Sequence, residues 1–330
     1  MQILNVQQLK KEFGDDILFE DVSFSLNDND RLALIGPNGN GKSTLIKIIL
    51  NEVDKTSGEV VLAKGTTIGY LSQDVITNLD NNLYDEVESV FSSLIEQEKK
   101  LKEMEDEISL NPNNVELIEE YGIKQNDFLE KGGYNYHYLI NMMLSKFGFY
   151  KEDLTRTISS FSGGERTKIA FVKLLLIKPN LLILDEPING LDPEGIIEIR
   201  KLVLNLNKKS NITILISSHY LDELSKIATN YGFIDKGHIV EEISYEELNS
   251  KIREKTTVKI KDTDKLAEYL DDNNINYEKT GKEEITIYNK INIPKFITEL
   301  NNNKIEIEDI KKEKDTLENY FLKLLGGENE

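Results

Sequence analysis

The chain has 330 residues, enough for one large domain with an appendage or for two domains. It has no cysteine, which excludes disulfide bonds and thiolate metal sites. Its formal net charge of −19 argues against broad binding to phosphate backbones, so we expect no direct DNA binding. No apolar run approaches the roughly 18 residues of a membrane span. We therefore expect a cytoplasmic protein that associates with a membrane only through a partner.

The first functional pattern is a strand, a glycine-rich loop and a helix in succession. Residues 32–35 are the predicted strand, and the loop G-x-x-x-x-G-K-S leads into an amphipathic helix. This order suits a phosphate cradle, because glycines let backbone N–H groups converge on phosphate oxygens at a helix N-terminus. Lys42 is expected to reach the β- and γ-phosphates, and Ser43 to ligate Mg²⁺. The predicted nucleotide-binding residues are Gly36, Pro37, Asn38, Gly39, Asn40, Gly41, Lys42, Ser43 and Thr44.

An apolar run at residues 181–184 ends in Asp185, Glu186 and a proline. Such a run predicts a buried parallel strand, and paired carboxylates at its end need a compensating partner. In a nucleotide-binding α/β domain, Mg²⁺ and phosphates supply that partner. We therefore expect Asp185 to hold the Mg²⁺ shell and Glu186 to polarise the attacking water.

The C-terminal part, residues 246–330, alternates strand and helix patterns in the order β-α-β-β-α-β. This order is typical of a ferredoxin-like α+β domain. A further apolar-striped helix follows, capped by Asp315 or Thr316. Nothing in this part resembles a catalytic cluster, so we interpret it as a packing, regulatory or dimerising accessory domain.

Three further segments complete an ordered set with GPNGNGKST and LLILDEP: IGYLSQ, FSGGERTKIA and ITILISSHYLDEL. The set resembles the ATP-binding-cassette (ABC) ATPases over about residues 1–245. The resemblance implies an α/β P-loop NTPase of the ABC type with an inserted helical subdomain at residues 74–160. It also implies Mg²⁺-dependent ATP hydrolysis.

The same resemblance implies roles for residues outside the phosphate loop. Phe13 would stack on adenine; the alternative is a core aromatic near an edge strand. Gln73 would be a catalytic residue that senses Mg²⁺ and water, and His219 would touch the γ-phosphate. Asp192 would belong to a dimer-contacting loop.

A signature turn is implied to act across a dimer. Its residues would bind the γ-phosphate of the nucleotide held by the other subunit, and they are Ser162, Gly163, Gly164 and Glu165. The chain has a single phosphate loop and a single Ser-Gly-Gly turn. The resemblance therefore implies a homodimer with composite ATP sites.

The two halves of the chain resemble two different subfamilies. Residues 1–180 are similar to the N-terminal cassette of ABC-F proteins, through ILFEDVSFSL, EKGGY and FSGGERTKIAFVKLLLIKP. Residues 181–330 are similar to ATP-binding subunits of bacitracin- and lantibiotic-type transporters, through GLDPEGIIEIRKLVLNL and LENYFLKLLGG. The apparent join lies near 178–190, and recombination, an assembly artefact and deliberate construction all explain it.

Three functions remain open. An exporter ATPase subunit with a separate membrane permease is the favoured interpretation. A ribosome-associated translation or antibiotic-protection factor is the alternative, supported by the charged helix SLIEQEKKLKEMEDEISL, which would belong to an ABC-F-like arm or be an ordinary solvated helix. Residues 88–131, however, contain twelve acids and only five lysines, which is a poor match for ribosomal RNA. The third possibility is an uncoupled hybrid ATPase.

Overall fold

The computed structural model describes residues 1–72, 78–252, 254–289, 291–314 and 316–326. The predicted site residue Gln73 and the predicted helix cap Asp315 lie outside the described residues. The first elements are β1 (Gln2–Phe13), β2 (Asp16–Asn27), β3 (Arg31–Ile35), α1 (Lys42–Ile49), β4 (Ser57–Leu62) and β5 (Ile68–Leu71). Strands β2, β1 and β4 form an antiparallel sheet in that order.

Helices follow, and then the second half of the cassette. The helices are α2 (Leu83–Glu88), α3 (Ser92–Leu110), α4 (Val115–Glu130), α5 (Tyr136–Lys146) and α6 (Gly163–Leu176). The later elements are β6 (Leu181–Asp185), α7 (Pro193–Ser210), β7 (Thr213–Ser217), α8 (Leu221–Leu224), β8 (Asn230–Asp235), β9 (His238–Ser244) and α9 (Tyr245–Lys251). Helices α2 to α5 lie between β5 and α6, where the sequence predicts the helical insertion.

The central sheet has the strand order β5-β6-β7-β3-β8-β9, and β9 alone in it runs antiparallel to its neighbour. The apolar run of β6 is unbroken because both faces of the strand are buried. Leu182 and Leu184 pack into one buried cluster, while Leu181 and Ile183 pack into a second cluster. Since successive side chains of a strand point to opposite faces, β6 is buried on both. The predicted buried parallel strand is confirmed.

The inserted helices share an apolar core with α6 and are also joined to it by a buried ion pair. Phe128 of α4 packs in the same buried cluster as Leu101 of α3 and Ile169 of α6. Glu86 of α2 is 1% exposed, and it forms an ion pair with Lys173 of α6. A buried carboxylate needs such a partner, so this pair fixes how the helices sit on α6. In the part of the chain that the structure describes, no helix is long and apolar enough to cross a membrane.

The C-terminal elements are β10 (Glu254–Lys259), α10 (Thr263–Asp272), β11 (Tyr277–Gly281), β12 (Glu284–Ile287), α11 (Ile293–Asn302), β13 (Asp309–Lys314) and α12 (Leu317–Leu324). The strands form an antiparallel sheet in the order β11-β12-β10-β13. Val258 and Ile285 of the sheet pack with Leu266 of α10 and Phe296 of α11 in a separate core. Thr316 caps α12 by accepting a hydrogen bond from the backbone N–H of Asn319.

Helix α12 packs on the cassette. Leu317 and Phe321 belong to the same buried cluster as the central sheet. The ring of Phe321 stacks on Phe233 of β8 at a centroid distance of 5.6 Å. Tyr320 donates a hydrogen bond of 2.6 Å to Glu241 of β9. The chain therefore returns to the cassette after the C-terminal sheet.

Replacing Phe321 with alanine should weaken the packing of α12 on the cassette. Phe321 is 7% exposed, and removing a buried aromatic ring lowers the free energy of unfolding by about 3 kcal/mol. The matched control is Leu322→Ala on the same helix, because Leu322 is 51% exposed and should change stability by less than about 0.5 kcal/mol. Urea denaturation measures both variants. Equal stability of the two would show that the packing of α12 contributes little.

Candidate active site

The phosphate loop and Glu186 face one cavity at the carboxyl end of the central sheet. Strands β3, β6 and β7 run parallel, so the loops that follow them lie at the same edge. The cavity there has a volume of about 310 Å³. Its lining residues are Leu18, Asn38, Gly39, Gly41, Lys42, Ser43, Thr44, Glu186, Asn189 and His219. The fold therefore brings residues from three distant sequence patterns together.

The phosphate loop is held against the end of β8. A Cβ on Gly36 would lie 2.4 Å from the carbonyl oxygen of Ile234, so only glycine fits there. Gly41 has a φ of 81°, which favours glycine, and it precedes the first residue of α1, Lys42. Since Gly41 has no side chain to cap α1, the first N–H groups of the helix stay available to an anion.

Lys42 is a buried cation beside the acidic pair. Lys42 is only 6% exposed. Its Nζ donates hydrogen bonds to the carbonyl oxygens of Gly36 at 2.7 Å and Pro37 at 3.1 Å. Burial lowers the pKa of Lys42, while Glu186 and Asp185 oppose that shift. A phosphate beside Nζ would stabilise the ammonium more than the two carbonyl oxygens do, because a phosphate carries a full negative charge.

Asp185 and Glu186 have different environments. Asp185 is 6% exposed, and its Oδ1 accepts a hydrogen bond of 2.5 Å from the Ser217 hydroxyl. Glu186 has a φ of 53°, and its Oε2 lies 2.9 Å from Nδ1 of His219. Burial raises the pKa of Tyr70 to about 12, and the nearby Asp185 adds to that shift. Asp185 is thus buried and hydrogen-bonded to Ser217, while Glu186 faces the cavity with His219.

Three predicted nucleotide-binding residues support the loop and do not line the cavity. Gly36 and Pro37 supply the carbonyl oxygens that hold Lys42. The side-chain amide of Asn40 lies 3.4 Å from the carbonyl oxygen of Ile234 and 3.4 Å from Oδ1 of Asp235. These contacts position the loop from behind.

Phe13 does not line the cavity, and it is 57% exposed at the end of β1. The alternative interpretation of a core aromatic is therefore wrong. Nζ of Lys11 lies 4.5 Å from the ring centroid, a cation–π contact on one side of the ring. Stacking of adenine on Phe13 stays a prediction.

The signature turn and Asp192 lie at helix starts outside the cavity lining. Ser162 caps α6, and its side chain and that of Glu165 form a capping box. A Cβ on Gly163 or on Gly164 would meet no atom of the chain closer than 3.7 Å. Asp192 caps α7 through a hydrogen bond of 3.1 Å from the backbone N–H of Gly195.

Three residues around the site were not predicted from the sequence. Ser217 donates a hydrogen bond to Asp185, and Asn189 and Leu18 line the cavity, with Leu18 lying against Gly41. The signal for Ser217 was its place at the end of the apolar strand ITILIS, beside the strand that ends in Asp185. No local pattern marks Leu18, since β2 brings it to the site from another sheet.

A magnesium ion would be held here by few protein atoms. Among the described residues, no group of three or more histidine, aspartate or glutamate side chains could hold a metal ion. Ser43 and Asp185 offer a hydroxyl and a buried carboxylate. This set fits Mg²⁺, which is usually bound through one or two carboxylates together with the phosphates of the substrate.

Together, the fold and the site define a nucleotide-hydrolysing P-loop cassette. The family model described as ABC transporter matches residues 19–189. The chain belongs to the ABC transporter family and is an ABC-type ATPase cassette. The predicted family and α/β P-loop fold are confirmed.

Two sets of relatives match the chain, as the two resemblances predict. The putative ATP-binding protein YdiF of Bacillus subtilis is 37% identical over 58% of this chain, which spans 30% of that protein's length. The bacitracin transport ATP-binding protein BcrA of Bacillus licheniformis is 28% identical over 98% of both chains. The lantibiotic transport ATP-binding protein SrtF of Streptococcus pyogenes is 32% identical over 74% of this chain and 92% of its own.

Solved structures support the fold. CbiO1 of Clostridium perfringens, part of the ABC transporter complex cbiONQ, superposes with a TM-score of 0.56 at 22% identity. The match covers 76% of this chain and 91% of that one.

Glu186→Gln should leave ATP binding intact and slow hydrolysis about 10²–10⁴-fold, the usual contribution of a positioned general base. The amide keeps the size of the side chain but takes up no proton from water. Phosphate release measures turnover, and calorimetry measures binding. Glu194→Gln is the matched control, because Glu194 is exposed on α7. Unchanged turnover in Glu186→Gln would remove Glu186 from the mechanism.

Proposed function

We propose that the chain is the ATP-hydrolysing subunit of an exporter of peptide antibiotics, working on the cytoplasmic face of a membrane with a separate permease. The observation that carries the proposal is the match to BcrA over 98% of both chains. That match includes the C-terminal part and both sides of the apparent join near 178–190. No helix of the described residues is long and apolar enough to cross a membrane, so a transporter subunit of this kind would work with a partner that does.

The site residues act in the following way in this proposal. The N–H groups of the loop and α1 bind the phosphates, and Lys42 neutralises the β- and γ-phosphates. Ser43 and Asp185 would hold Mg²⁺, which would neutralise charge on the phosphates when bound. Glu186 orients the attacking water and accepts its proton, and the hydrogen bond with His219 keeps that carboxylate in place.

We further propose that two copies complete each ATP site. The capping box occupies the backbone N–H groups of Ser162 and Glu165. The N–H groups of Gly163 and Gly164 lie between them at a helix N-terminus, a position that attracts anions. Packing inside the chain does not require either residue to be glycine. A phosphate approaching from a second subunit does, because a Cβ would obstruct it.

The C-terminal sheet is proposed to be a ferredoxin-like accessory domain within residues 246–330. Its element order β-α-β-β-α-β and its antiparallel sheet support this assignment. Helix α12 ties it to the cassette, so we favour a packing or regulatory role.

The second candidate is a ribosome-associated factor. The match to YdiF and the paired helices α3 and α4 favour it. The chain spans only 30% of YdiF, however, and the paired helices carry an excess of acids. Fractionation of cells that express Glu186→Gln separates the two candidates. The exporter proposal predicts recovery with the membrane fraction, whereas recovery in the ribosome pellet would contradict it.

Mixing two inactive variants tests the composite sites. Lys42→Ala removes the cation of the phosphate loop, and Gly164→Asp places an anion where the opposing γ-phosphate would lie. Each homodimer should be inactive. A mixed dimer has one site with an intact loop facing an intact turn, so phosphate release should partly return on mixing.

The control is light scattering with ATP, which reports whether mixed dimers form. Activity that returns in proportion to mixed dimers supports the composite site. Activity in the Gly164→Asp variant alone would contradict it.

A further inference from the structure

Another cavity lies at the edge of the central sheet opposite the ATP site. It is bordered by the first residue of β3, Arg31, and the first residue of β8, Asn230. Since β3 and β8 run parallel, this is the amino end of the strands, whereas the phosphate loop follows the carboxyl end of β3. The cavity has a volume of about 560 Å³, within the roughly 300–1,000 Å³ typical of small-molecule sites. None of its lining residues lines the ATP cavity.

Arg31 is held in place at this cavity and keeps hydrogen-bond donors available. Its Nε donates a hydrogen bond of 2.5 Å to the carbonyl oxygen of Ile227, and its Nη1 donates one to the side-chain oxygen of Asn207. A guanidinium has five N–H donors and stays protonated in proteins. Among the described residues, the other three donors of Arg31 have no hydrogen-bond partner. Arg31 therefore presents a cation that can bind an anion in the cavity.

The hydroxyl of Tyr231 is a second donor without a partner. Tyr231 is 0% exposed, and its hydroxyl has no hydrogen-bond partner in the part of the chain that the structure describes. Burial raises the pKa of Tyr231 to about 12; Tyr245 adds to that shift and Arg31 opposes it. The hydroxyl therefore stays protonated at neutral pH and lies near Arg31 and Tyr245, which both line the cavity. A buried hydroxyl without a partner destabilises a fold, so an acceptor atom of a ligand would be favoured here.

Two carboxylates line the same cavity. Asp30 is half-buried, and its Oδ2 accepts a hydrogen bond of 3.0 Å from the backbone N–H of Asn27. Glu246 is exposed at the start of α9. Within the described chain, neither carboxylate forms a salt bridge. The other cation at the cavity, Lys226, already pairs with Glu223 at 2.6 Å. The cavity thus has one cation and two carboxylates that lack an ion-pair partner.

We propose that this cavity binds a small zwitterion of amino-acid size, with its carboxylate on Arg31 and Tyr231 and its ammonium on Asp30. A carboxylate accepts paired hydrogen bonds from a guanidinium and has lone pairs left for a hydroxyl. A phosphate fits less well, because its second negative charge would lie close to Asp30 and Glu246. A water molecule could pair with the hydroxyl, but it would leave Arg31 without an anion. The site lies within the cassette, so the proposal does not depend on the exporter function.

The first experiment uses unbranched amino acids with one to five methylene groups, from glycine to 6-aminohexanoate, as probes of the purified full chain. Saturation-transfer NMR should detect binding, and one length should bind best, because the ammonium must reach Asp30 while the carboxylate stays on Arg31. At that length, the acid without the amine and the amine without the acid should each bind at least tenfold more weakly. Saturating Mg·ATP should not displace the probe.

Two results of this experiment would overturn the proposal. The first is that no amino acid of the series binds. The second is that inorganic phosphate binds more tightly than all of them, because the site would then select an anion and not a zwitterion.

Tyr231→Phe separates a ligand site from a structural role. Without a probe, this variant should be at least as stable as wild type in urea denaturation, because it removes a buried hydroxyl that has no partner. Its affinity for the best probe should fall at least fivefold in calorimetry. The matched control is Tyr136→Phe, since the Tyr136 hydroxyl donates a hydrogen bond of 2.8 Å to Glu98. That variant should lose stability and bind the probe as wild type does. Lost stability with unchanged affinity in Tyr231→Phe would contradict the proposal.

Asp30→Asn tests the ammonium end of the ligand. The affinity for the best amino acid should fall at least tenfold, whereas the matched acid without an amine should bind at least as well as before, because a repelling charge is gone. Asp28→Asn is the control, since Asp28 is exposed in the same turn and does not line the cavity. An equal loss of affinity for both probes in Asp30→Asn would show that no ammonium contact exists and that the zwitterion assignment is wrong.

Discussion

Two carboxylates at the end of a strand buried on both faces are the constraint on which the cassette depends. A charge in such a place is unfavourable unless hydrogen bonds and opposite charges surround it. Strand β7 supplies the hydrogen bonds, because its register sets Ser217 opposite Asp185. The Ser217 hydroxyl then binds the Asp185 carboxylate, and the Ser217 carbonyl oxygen accepts the N–H of Glu186 at 3.0 Å.

The register of the neighbouring strand supplies the opposite charge. Leu34 of β3 lies beside Ser217 of β7, so β3 ends level with the acidic pair. The loop that leaves β3 must turn at once, which Gly36 permits, and it delivers Lys42 into reach of both acids. Three parallel strands thus set where the cation and the carboxylates lie relative to one another. The site is preorganised by the sheet.

The sequence predicted those features that depend only on neighbouring residues. The phosphate loop, the buried strand 181–184 and the C-terminal element order each follow from adjacent residues, and the structure has all three. Ser217 as the partner of Asp185 depends on strand register, which no single segment contains.

The last helix joins the C-terminal part to the core beneath the catalytic residues. Phe321 of α12 packs in the same cluster as Ile188, which follows the acidic pair, and Leu224 of α8, which follows His219. Close-packed cores transmit displacement, because neither side can yield without opening a void. A shift of α12 would therefore be felt by the segments that carry Glu186 and His219. The C-terminal part is thus joined by packing to the core beneath the catalytic edge of the sheet.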